Sequence, residues 1–190
     1  MGIRSISVAR VLVPIASGFE ELEAVTIIDL LRRAEVEVVV AGLEAGTVQA
    51  SRGVVLQPDC TLDEALEADY DMMVLPGGMP GAEHLWNDER VVDLLKKLHA
   101  SGKFTGAICA APRVLAVAGI LDGKEATGYP GFIDTGDFPE LRYTGAPVEQ
   151  DGTVITSRGP GTAMDFALAL VEQLCGAEVR DAVEGPLLRP

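Results

Sequence analysis

The sequence contains few aromatic residues, only three cysteines and no long apolar run. Aromatic side chains make up 5% of the 190 residues, so we expect a core built mainly from aliphatic side chains and alanine. No apolar run approaches the roughly 18 residues that a membrane-spanning helix requires. The cysteines are Cys60, Cys109 and Cys175, and an odd number at such wide spacings fits neither a disulfide framework nor a metal cluster. We therefore expect no metal and no cofactor.

Positive charge is also scarce. The chain has 15 Lys and Arg against 29 Asp and Glu, which gives a net charge of −14 at pH 7. A chain this acidic repels nucleic-acid phosphates and anionic lipids, so we expect neither nucleic acid nor a membrane surface as a stable partner. The N-terminal residues run directly into a strand-like segment without the pattern of a cleavable signal peptide. A reducing cytoplasm is the expected location.

Apolar strand-like runs alternate with amphipathic helical stretches. Strands are predicted at residues 8–15, 36–41, 70–75 and 104–108, paired strands at 47–50 and 53–57, and a hairpin turning at Asp151-Gly152. Helices are predicted at residues 20–34, 62–68, 88–100, 110–118 and 162–175. This alternation predicts a single α/β domain over residues 1–190, with a mostly parallel sheet and helices on both faces.

The carboxyl ends of the predicted strands locate the functional crevice. In open parallel sheets, ligands bind in the crevice outside these ends. We therefore expect the chemistry in the loops that follow Ile15, Leu75 and Ile108.

The loop after Ile108 carries a cysteine followed by small residues and then Pro112. This order resembles a nucleophile elbow, in which small neighbours permit a sharp turn that exposes the side chain. A helix N-terminus placed behind Cys109 would lower the pKa of its thiol. A lone cysteine is usually an inert core residue, and we assign that role to Cys60 and Cys175.

The loop after Ile15 carries three acidic residues: Glu20, Glu21 and Glu23. Acidic side chains in the first turn of a helix interact favourably with the helix dipole, and this explains Glu20 and Glu21. Glu23 lies on a different helix face and can point towards the sheet edge. Its spacing leaves two roles open, a dipole contact or a contact with the thiol.

The loop after Leu75 contains Gly77-Gly78. Backbone N–H groups in such a turn have little side-chain cover and can bind an oxyanion. The alternative is a tight turn between a strand and a helix, with no chemical role.

A fourth segment, 156–162, opens the last predicted helix and contains Arg158. One interpretation is an anion site formed by its N–H groups and Arg158. The other is a capped helix start, with Arg158 packed against the cysteine region or against a partner subunit. The segment lacks the Gly-Lys-Ser/Thr pattern of a P-loop.

The chain has two histidines, His84 and His99. A cysteine protease needs a base for acylation and for departure of the leaving group. His99 is expected to be solvated on its helix. His84 follows the Gly-Gly turn, and of the two histidines only His84 is placed so that it could approach the crevice. The sequence thus argues against a protease.

Taken together, these segments resemble the ThiJ/PfpI superfamily, and within it the branch of the parkinsonism-associated protein deglycase and the bacterial YajL proteins. The resemblance covers residues 11–188. Four motifs in order are more specific than any one of them: Gly18-Phe19-Glu20-Glu21-Leu22-Glu23, Val74-Leu75-Pro76-Gly77-Gly78, Ala107-Ile108-Cys109-Ala110-Ala111-Pro112 and Thr156-Ser157-Arg158-Gly159-Pro160-Gly161-Thr162.

The resemblance implies a flavodoxin-like α/β sandwich that forms a homodimer. It makes Cys109 the reactive, oxidation-prone cysteine and Glu23 a protonated carboxyl that hydrogen-bonds the sulfur. It places the backbone N–H groups of Gly78 and Ala110 towards the reactive centre, with Gly77 in support. It also implies that Arg52 reaches the partner's site.

The chain departs from part of the superfamily at Tyr129. Some members have a histidine there, in the loop after the cysteine helix, whereas YajL-type proteins also lack it. The difference argues against any mechanism that requires a Cys–His pair.

Two classes of function follow from the resemblance. The first is a cofactor-free glyoxalase or deglycase, in which Cys109 adds to methylglyoxal or its adducts and Glu23 moves a proton. The second is a redox sensor or redox-regulated chaperone, in which oxidation of Cys109 changes partner binding. Both would serve in oxidative or carbonyl stress.

Overall fold

A central sheet organises the computed structural model, which describes residues 8–190. Residues 1–7, on which the signal-peptide expectation partly depends, lie outside the described residues. The strands are β1 Arg10–Ile15, β2 Glu37–Gly42, β3 Val48–Gln49, β4 Val55–Leu56, β5 Cys60–Thr61, β6 Met72–Leu75, β7 Phe104–Ile108, β8 Glu125–Ala126, β9 Arg142–Tyr143, β10 Val148–Asp151 and β11 Val154–Ser157.

Helices connect most of the strands. They are α1 Glu21–Arg33, α2 Leu62–Ala65, α3 Gly81–Trp86, α4 Glu89–Ala100, α5 Pro112–Val117, α6 Ala163–Cys175 and α7 Ala177–Glu184, with 3₁₀ turns at Pro160–Thr162 and Gly185–Leu187. Within residues 8–190, none of these helices combines the length and apolar character needed to span a membrane.

The main sheet has seven strands in the order β10-β11-β7-β6-β1-β2-β5. All neighbours pair in parallel except the β10–β11 hairpin, which is antiparallel. The predicted α/β fold with a mostly parallel sheet is confirmed. The short pairs β3–β4 and β8–β9 lie outside this sheet.

Alternate residues of each strand pack into two separate hydrophobic cores, because successive side chains of a strand point to opposite faces of the sheet. In β1, Val11 and Val13 pack with α1 and α6 on one face. Leu12 packs on the other face with α2, α4 and α5. Helices therefore cover both faces of the sheet, as predicted. Complete burial of one such side chain contributes about 1.5–3 kcal/mol to the stability of the fold.

The end of β2 and the turn of the last hairpin each lie one residue beyond the predicted position, because backbone pairing continues there. β2 does not stop before Gly42, because Gly42 continues the ladder opposite Ile15. The last hairpin turns at Gly152-Thr153, because Asp151 still pairs with Val154.

Several short elements escape or shorten the sequence prediction. α3 follows the Gly-Gly turn directly and was not predicted, and two-residue β5 is too short to show periodicity. α5 is shorter than the predicted 110–118 because Ala110 and Ala111 form the turn that precedes Pro112. The tail contains the eight-residue helix α7, about two turns, in line with the one or two turns expected there.

Candidate functional site

The candidate site lies at one edge of the sheet, where four adjacent strands end. β1, β6, β7 and β11 are neighbours, and all four end at this edge. The loops that leave them contain every motif singled out in the sequence. This is the expected crevice at the carboxyl ends of the parallel strands.

Cys109 occupies a strained turn at the end of β7. Its φ of 64° lies in the left-handed region, which costs a non-glycine residue about 1–3 kcal/mol. Two backbone hydrogen bonds hold the turn: the Cys109 N–H donates to the Ser157 carbonyl at 3.0 Å, and the Tyr129 N–H donates to the Cys109 carbonyl at 2.8 Å. The predicted elbow geometry is present.

Glu23 is completely buried on the inner side of α1. Its Oε2 accepts the Gly77 N–H at 2.8 Å. Its Oε1 is buried and has no hydrogen-bond partner within residues 8–190 by strict geometry. Burial raises the pKa of Glu23 to about 7. A proton on Oε1 would give this atom a hydrogen-bond partner, since the O–H could donate to the Cys109 sulfur.

The thiol of Cys109 titrates differently from the prediction. Burial, and then the negative charge of ionised Glu23, raise its pKa to about 12. The N–H groups of Ala110 and Gly78 hydrogen-bond the sulfur and lower the pKa of Cys109, but by less. The expected low pKa is therefore wrong while Glu23 is ionised. The thiolate becomes accessible when Glu23 keeps its proton, because the repulsion is then absent.

Gly77 and Gly78 allow the three loops to meet. A Cβ on Gly77 would lie 2.7 Å from the Cys109 Cβ and 2.8 Å from Glu23 Oε2. Gly78 has a φ of 89°, and a Cβ there would lie 2.3 Å from the Glu20 nitrogen. The Gly-Gly pair is therefore required both for close approach and for backbone conformation.

A cavity of about 380 Å³ opens above Cys109. This volume lies in the range of small-molecule sites. Arg52 and Tyr129 both line it, together with the following residues: Glu20, Ser51, Gly78, Met79, Ala110, Phe132 and Pro160. The structure thus places Arg52 at the cavity of its own chain.

Two acidic residues at the start of α1, the N-cap Glu20 and the first helical residue Glu21, hold the β3–β4 turn over this cavity. Ser51 Oγ donates to Glu20 Oε2 at 3.0 Å, and the Arg52 N–H donates to Glu21 Oε1 at 3.0 Å. The dipole role assigned from the sequence to Glu20 and Glu21 misses these contacts. A spacing signal could not have found them, because Ser51 lies about thirty residues away along the chain.

Residues 9–173 match the family model described as the DJ-1/PfpI family. The chain belongs to the DJ-1/PfpI family. Protein DJ-1 homolog B of Arabidopsis thaliana is 48% identical over 171 residues, which cover 89% of this chain but only 39% of that protein. The glutathione-independent glyoxalase DJR-1.2 of Caenorhabditis elegans is 35% identical over 168 residues, which cover 88% of this chain and 89% of that one.

A solved structure extends this agreement to the fold. Drosophila melanogaster DJ-1beta aligns with a TM-score of 0.90 at 40% identity, covering 96% of this chain and 99% of that chain. The predicted superfamily and its flavodoxin-like fold are both confirmed. In this DJ-1/PfpI chain the family match over residues 9–173 includes Glu23, Gly77, Cys109 and Arg158.

Arg158 lies next to the cysteine cavity but not in it. Its side chain is exposed and lines a second cavity of about 450 Å³. The N–H of Arg158 donates to the Pro147 carbonyl, and the N–H of Gly159 donates to Thr162 Oγ1. These two N–H groups are engaged within the protein, so neither is free to bind an anion. Arg158 does not pack on the cysteine region as that alternative supposed.

Neither histidine accompanies Cys109. His84 lines a separate cavity of about 650 Å³ between the start of α4 and the loop after β2. His99 lies near the end of α4 and is half-buried, not solvated as predicted. Within residues 8–190, the titratable side chain beside the thiol is the Glu23 carboxyl and not an imidazole.

Proposed function

We propose that this DJ-1/PfpI chain is a cysteine-dependent, glutathione-independent glyoxalase that acts on methylglyoxal. The observation that carries the proposal is the pairing of a half-buried thiol, at the floor of a cavity, with a buried carboxyl whose pKa is raised to about 7. A group with a pKa near the operating pH can both give and take a proton. The name of the Caenorhabditis elegans relative, a glutathione-independent glyoxalase, supports the same reaction class.

The first step is addition of the Cys109 sulfur to the aldehyde carbon of methylglyoxal. A C–S bond forms, the carbonyl π bond breaks, and the oxygen takes a proton to give a hemithioacetal. The N–H groups of Gly78 and Ala110, which hydrogen-bond the sulfur, would stabilise negative charge that develops on that oxygen.

Glu23 then moves a proton between neighbouring carbons. Its carboxylate takes the proton from the former aldehyde carbon and returns it to the former ketone carbon, which converts the hemithioacetal into a thioester. Water hydrolyses the thioester to lactate and frees the thiol. One methylglyoxal and one water thus become one lactate and one proton, and no external oxidant or reductant is needed.

Adducts of methylglyoxal with amines and thiols contain the same carbon skeleton. A deglycase would act on them through the same thiol and carboxyl. Release of free methylglyoxal from an adduct followed by glyoxalase turnover gives the same products, so we treat both activities as one proposed function in carbonyl-stress protection.

The test is lactate formation from methylglyoxal without glutathione. The wild type is compared with Cys109→Ser, which keeps a side chain of similar shape but a much weaker nucleophile, and with Cys60→Ser as the matched control. We expect lactate from the wild type and Cys60→Ser, and at least 10²-fold less from Cys109→Ser, in line with loss of the nucleophile. Undiminished turnover by Cys109→Ser would refute the proposal.

One observation also favours redox sensing as a second function. The N–H groups of Gly78 and Ala110 and the carboxyl of Glu23 converge on the same sulfur. Such donors would stabilise the oxygens of a sulfinate formed from the thiol by peroxide. Mass spectrometry after mild peroxide should then find sulfinate at Cys109 before Cys60 or Cys175. Earlier oxidation at Cys60 would contradict this function.

A further inference from the structure

Two arginines of this acidic chain lack the ion pair that the others form. Within residues 8–190, Arg52 and Arg158 make no salt bridge, although carboxylates outnumber cationic side chains almost two to one. Every other arginine there contacts a carboxylate: Arg10, Arg32, Arg33, Arg90, Arg113, Arg142, Arg180 and Arg189. The guanidinium groups of Arg52 and Arg158 are therefore available to an external anion.

Both unpaired arginines lie at the candidate site. Arg52 lines the cavity above Cys109, and Arg158 lines the adjoining cavity of about 450 Å³. Tyr129 and Pro160 line both cavities and form the wall between them. Glu20 is the only acidic side chain that lines the cysteine cavity, and no acidic side chain among the described residues lines the other.

The wall between the cavities contains a side chain that can move. Tyr129 is 49% exposed, and its ring contacts Phe132 edge-on at 6.3 Å between centroids. Within residues 8–190 the Tyr129 hydroxyl has no hydrogen-bond partner, and the ring lies beside Gly159, which has no side chain to block its rotation. Such a rotation would join the two cavities and place Arg158 at the far end of the cleft from the thiol.

We infer that Arg158 selects substrates in which the dicarbonyl group carries a carboxylate on a short chain. The aldehyde end would occupy the Cys109 cavity, and the chain would pass Tyr129 and Pro160 to place its carboxylate at Arg158. A guanidinium binds a carboxylate through two parallel N–H donors, which gives both strength and orientation. The inference rests on the proposed glyoxalase function and deepens it by naming the substrate class.

A matched pair of substrates isolates the effect of the charge. 4,5-Dioxopentanoate has the reactive end of methylglyoxal and a carboxylate two methylene groups away, and its methyl ester has the same chain without the charge. With one water, the acid becomes 2-hydroxyglutarate and one proton, by the same internal transfer that gives lactate. In the wild type, we expect kcat/KM for the acid to exceed that for the ester by about tenfold or more.

Arg158→Met is the diagnostic variant, and Arg142→Met is its control. Both remove an exposed guanidinium, but Arg142 lies on β9 and pairs with Glu125. Arg158→Met should lower kcat/KM for the acid about tenfold, mainly through KM, and leave methylglyoxal and the ester within twofold. Arg142→Met should change none of them. Equal losses for acid and ester, or no loss for the acid, would overturn the inference.

A binding measurement separates this inference from the proposed function. Glutarate should slow the alkylation of Cys109 by iodoacetamide in the wild type, and dimethyl glutarate should not, whether or not the protein turns over any substrate. Arg158→Met should abolish the protection by glutarate. If methylglyoxal is turned over but glutarate protects the wild type and Arg158→Met equally, the anion site fails and the glyoxalase function stands. If glutarate protects only through Arg158 but no dicarbonyl is turned over, the glyoxalase function fails.

Discussion

At the scale of single residues, Cys109 and Glu23 titrate as one pair. Burial raises the pKa of Glu23 to about 7, and ionised Glu23 in turn helps to raise the pKa of the Cys109 thiol. When the pair holds a single negative charge, that charge resides on oxygen or on sulfur, and the proton lies on the other atom. The N–H groups of Ala110 and Gly78 favour the thiolate, whereas burial of the sulfur and the Gly77 N–H on Glu23 favour the carboxylate.

The sequence could identify these two residues but could not show that Glu23 raises, and does not lower, the pKa of the Cys109 thiol. The elbow order around Cys109 predicts a sharp turn that exposes the side chain; the turn is present as a left-handed φ, and the side chain is half-buried. The position of Glu23 left its role open between a dipole contact and a thiol contact. Only its complete burial and its contact with Gly77 separate the two, and burial depends on residues distant in the chain.

Glu23→Gln tests the proton transfer directly. The amide keeps a donor of similar shape for the sulfur but cannot carry a proton between carbons, so we expect methylglyoxal turnover to fall by about 10² or more. Removal of the negative charge should also lower the pKa of Cys109, because the repulsion of the thiolate disappears. The measurements are lactate formation and thiolate absorbance against pH, in a Cys60→Ser, Cys175→Ser background. Full turnover by Glu23→Gln would rule out the proposed shuttle.

The raised pKa of Glu23 also predicts how stability depends on pH. The folded-state pKa of about 7 exceeds the ordinary value of 4.5, so the folded protein binds the proton more tightly than the unfolded chain does. The associated stability is present below pH 4.5 and is lost as pH rises through about 7. The full difference is about 3 kcal/mol.

Urea unfolding from pH 4 to pH 9 measures this loss. We expect the free energy of unfolding of the wild type to fall relative to that of Glu23→Gln by up to about 3 kcal/mol over this range. Glu67→Gln, which removes an exposed acid after α2, is the control and should run parallel to the wild type. Parallel curves for the wild type and Glu23→Gln would show that Glu23 is not the group with the raised pKa.

At the scale of elements, the sheet was predictable and the short connections were not. β1, β6 and β7 are buried parallel strands, which appear in the sequence as nearly continuous apolar runs. β5 and α3 are too short for a periodic pattern, and α3 begins at Gly81 directly behind the Gly-Gly turn. Its position is set by packing against Phe19, where a Cβ on Gly81 would lie 2.5 Å from the Phe19 nitrogen.

Gly77→Ala tests the close approach of the strand ends. A Cβ at this position would lie 2.7 Å from the Cys109 Cβ, so β6 and β7 would have to separate at the site. Overpacking of this kind costs about 1–3 kcal/mol, and in a protein of this size each kcal/mol lowers Tm by about 2–4 °C. We expect a lower Tm by calorimetry and a loss of methylglyoxal turnover.

Gly136→Ala is the matched control for that experiment. A Cβ at Gly136 would meet nothing within 4 Å, and the residue does not require a positive φ. Its Tm and turnover should therefore stay near those of the wild type. A Gly77→Ala protein that matches this control in both properties would show that the strand ends tolerate a side chain there.

At the scale of the whole molecule, the acidic chain keeps an apolar surface at one place near the site. Leu22 and Val25 of α1 are 51% and 45% exposed, and Val54 and Val55 of the β3–β4 pair are 46% and 57% exposed. The start of α1 and this strand pair lie side by side, because Glu21 accepts the Arg52 N–H.

We expect the exposed apolar surface of α1 and β4 to form a homodimer interface. Clustered apolar side chains on an otherwise charged protein favour association, and a twofold axis would pair the patch with itself. Light scattering at micromolar concentration should give about twice the 20.0 kDa chain mass.

Val25→Glu should yield a monomer, because a carboxylate would be buried against its own copy. Val117→Glu, equally exposed at 45% but on α5, should remain a dimer. A wild type of single chain mass would show that this surface is not a homodimer interface, and it would leave Arg52 to act only on the cavity of its own chain.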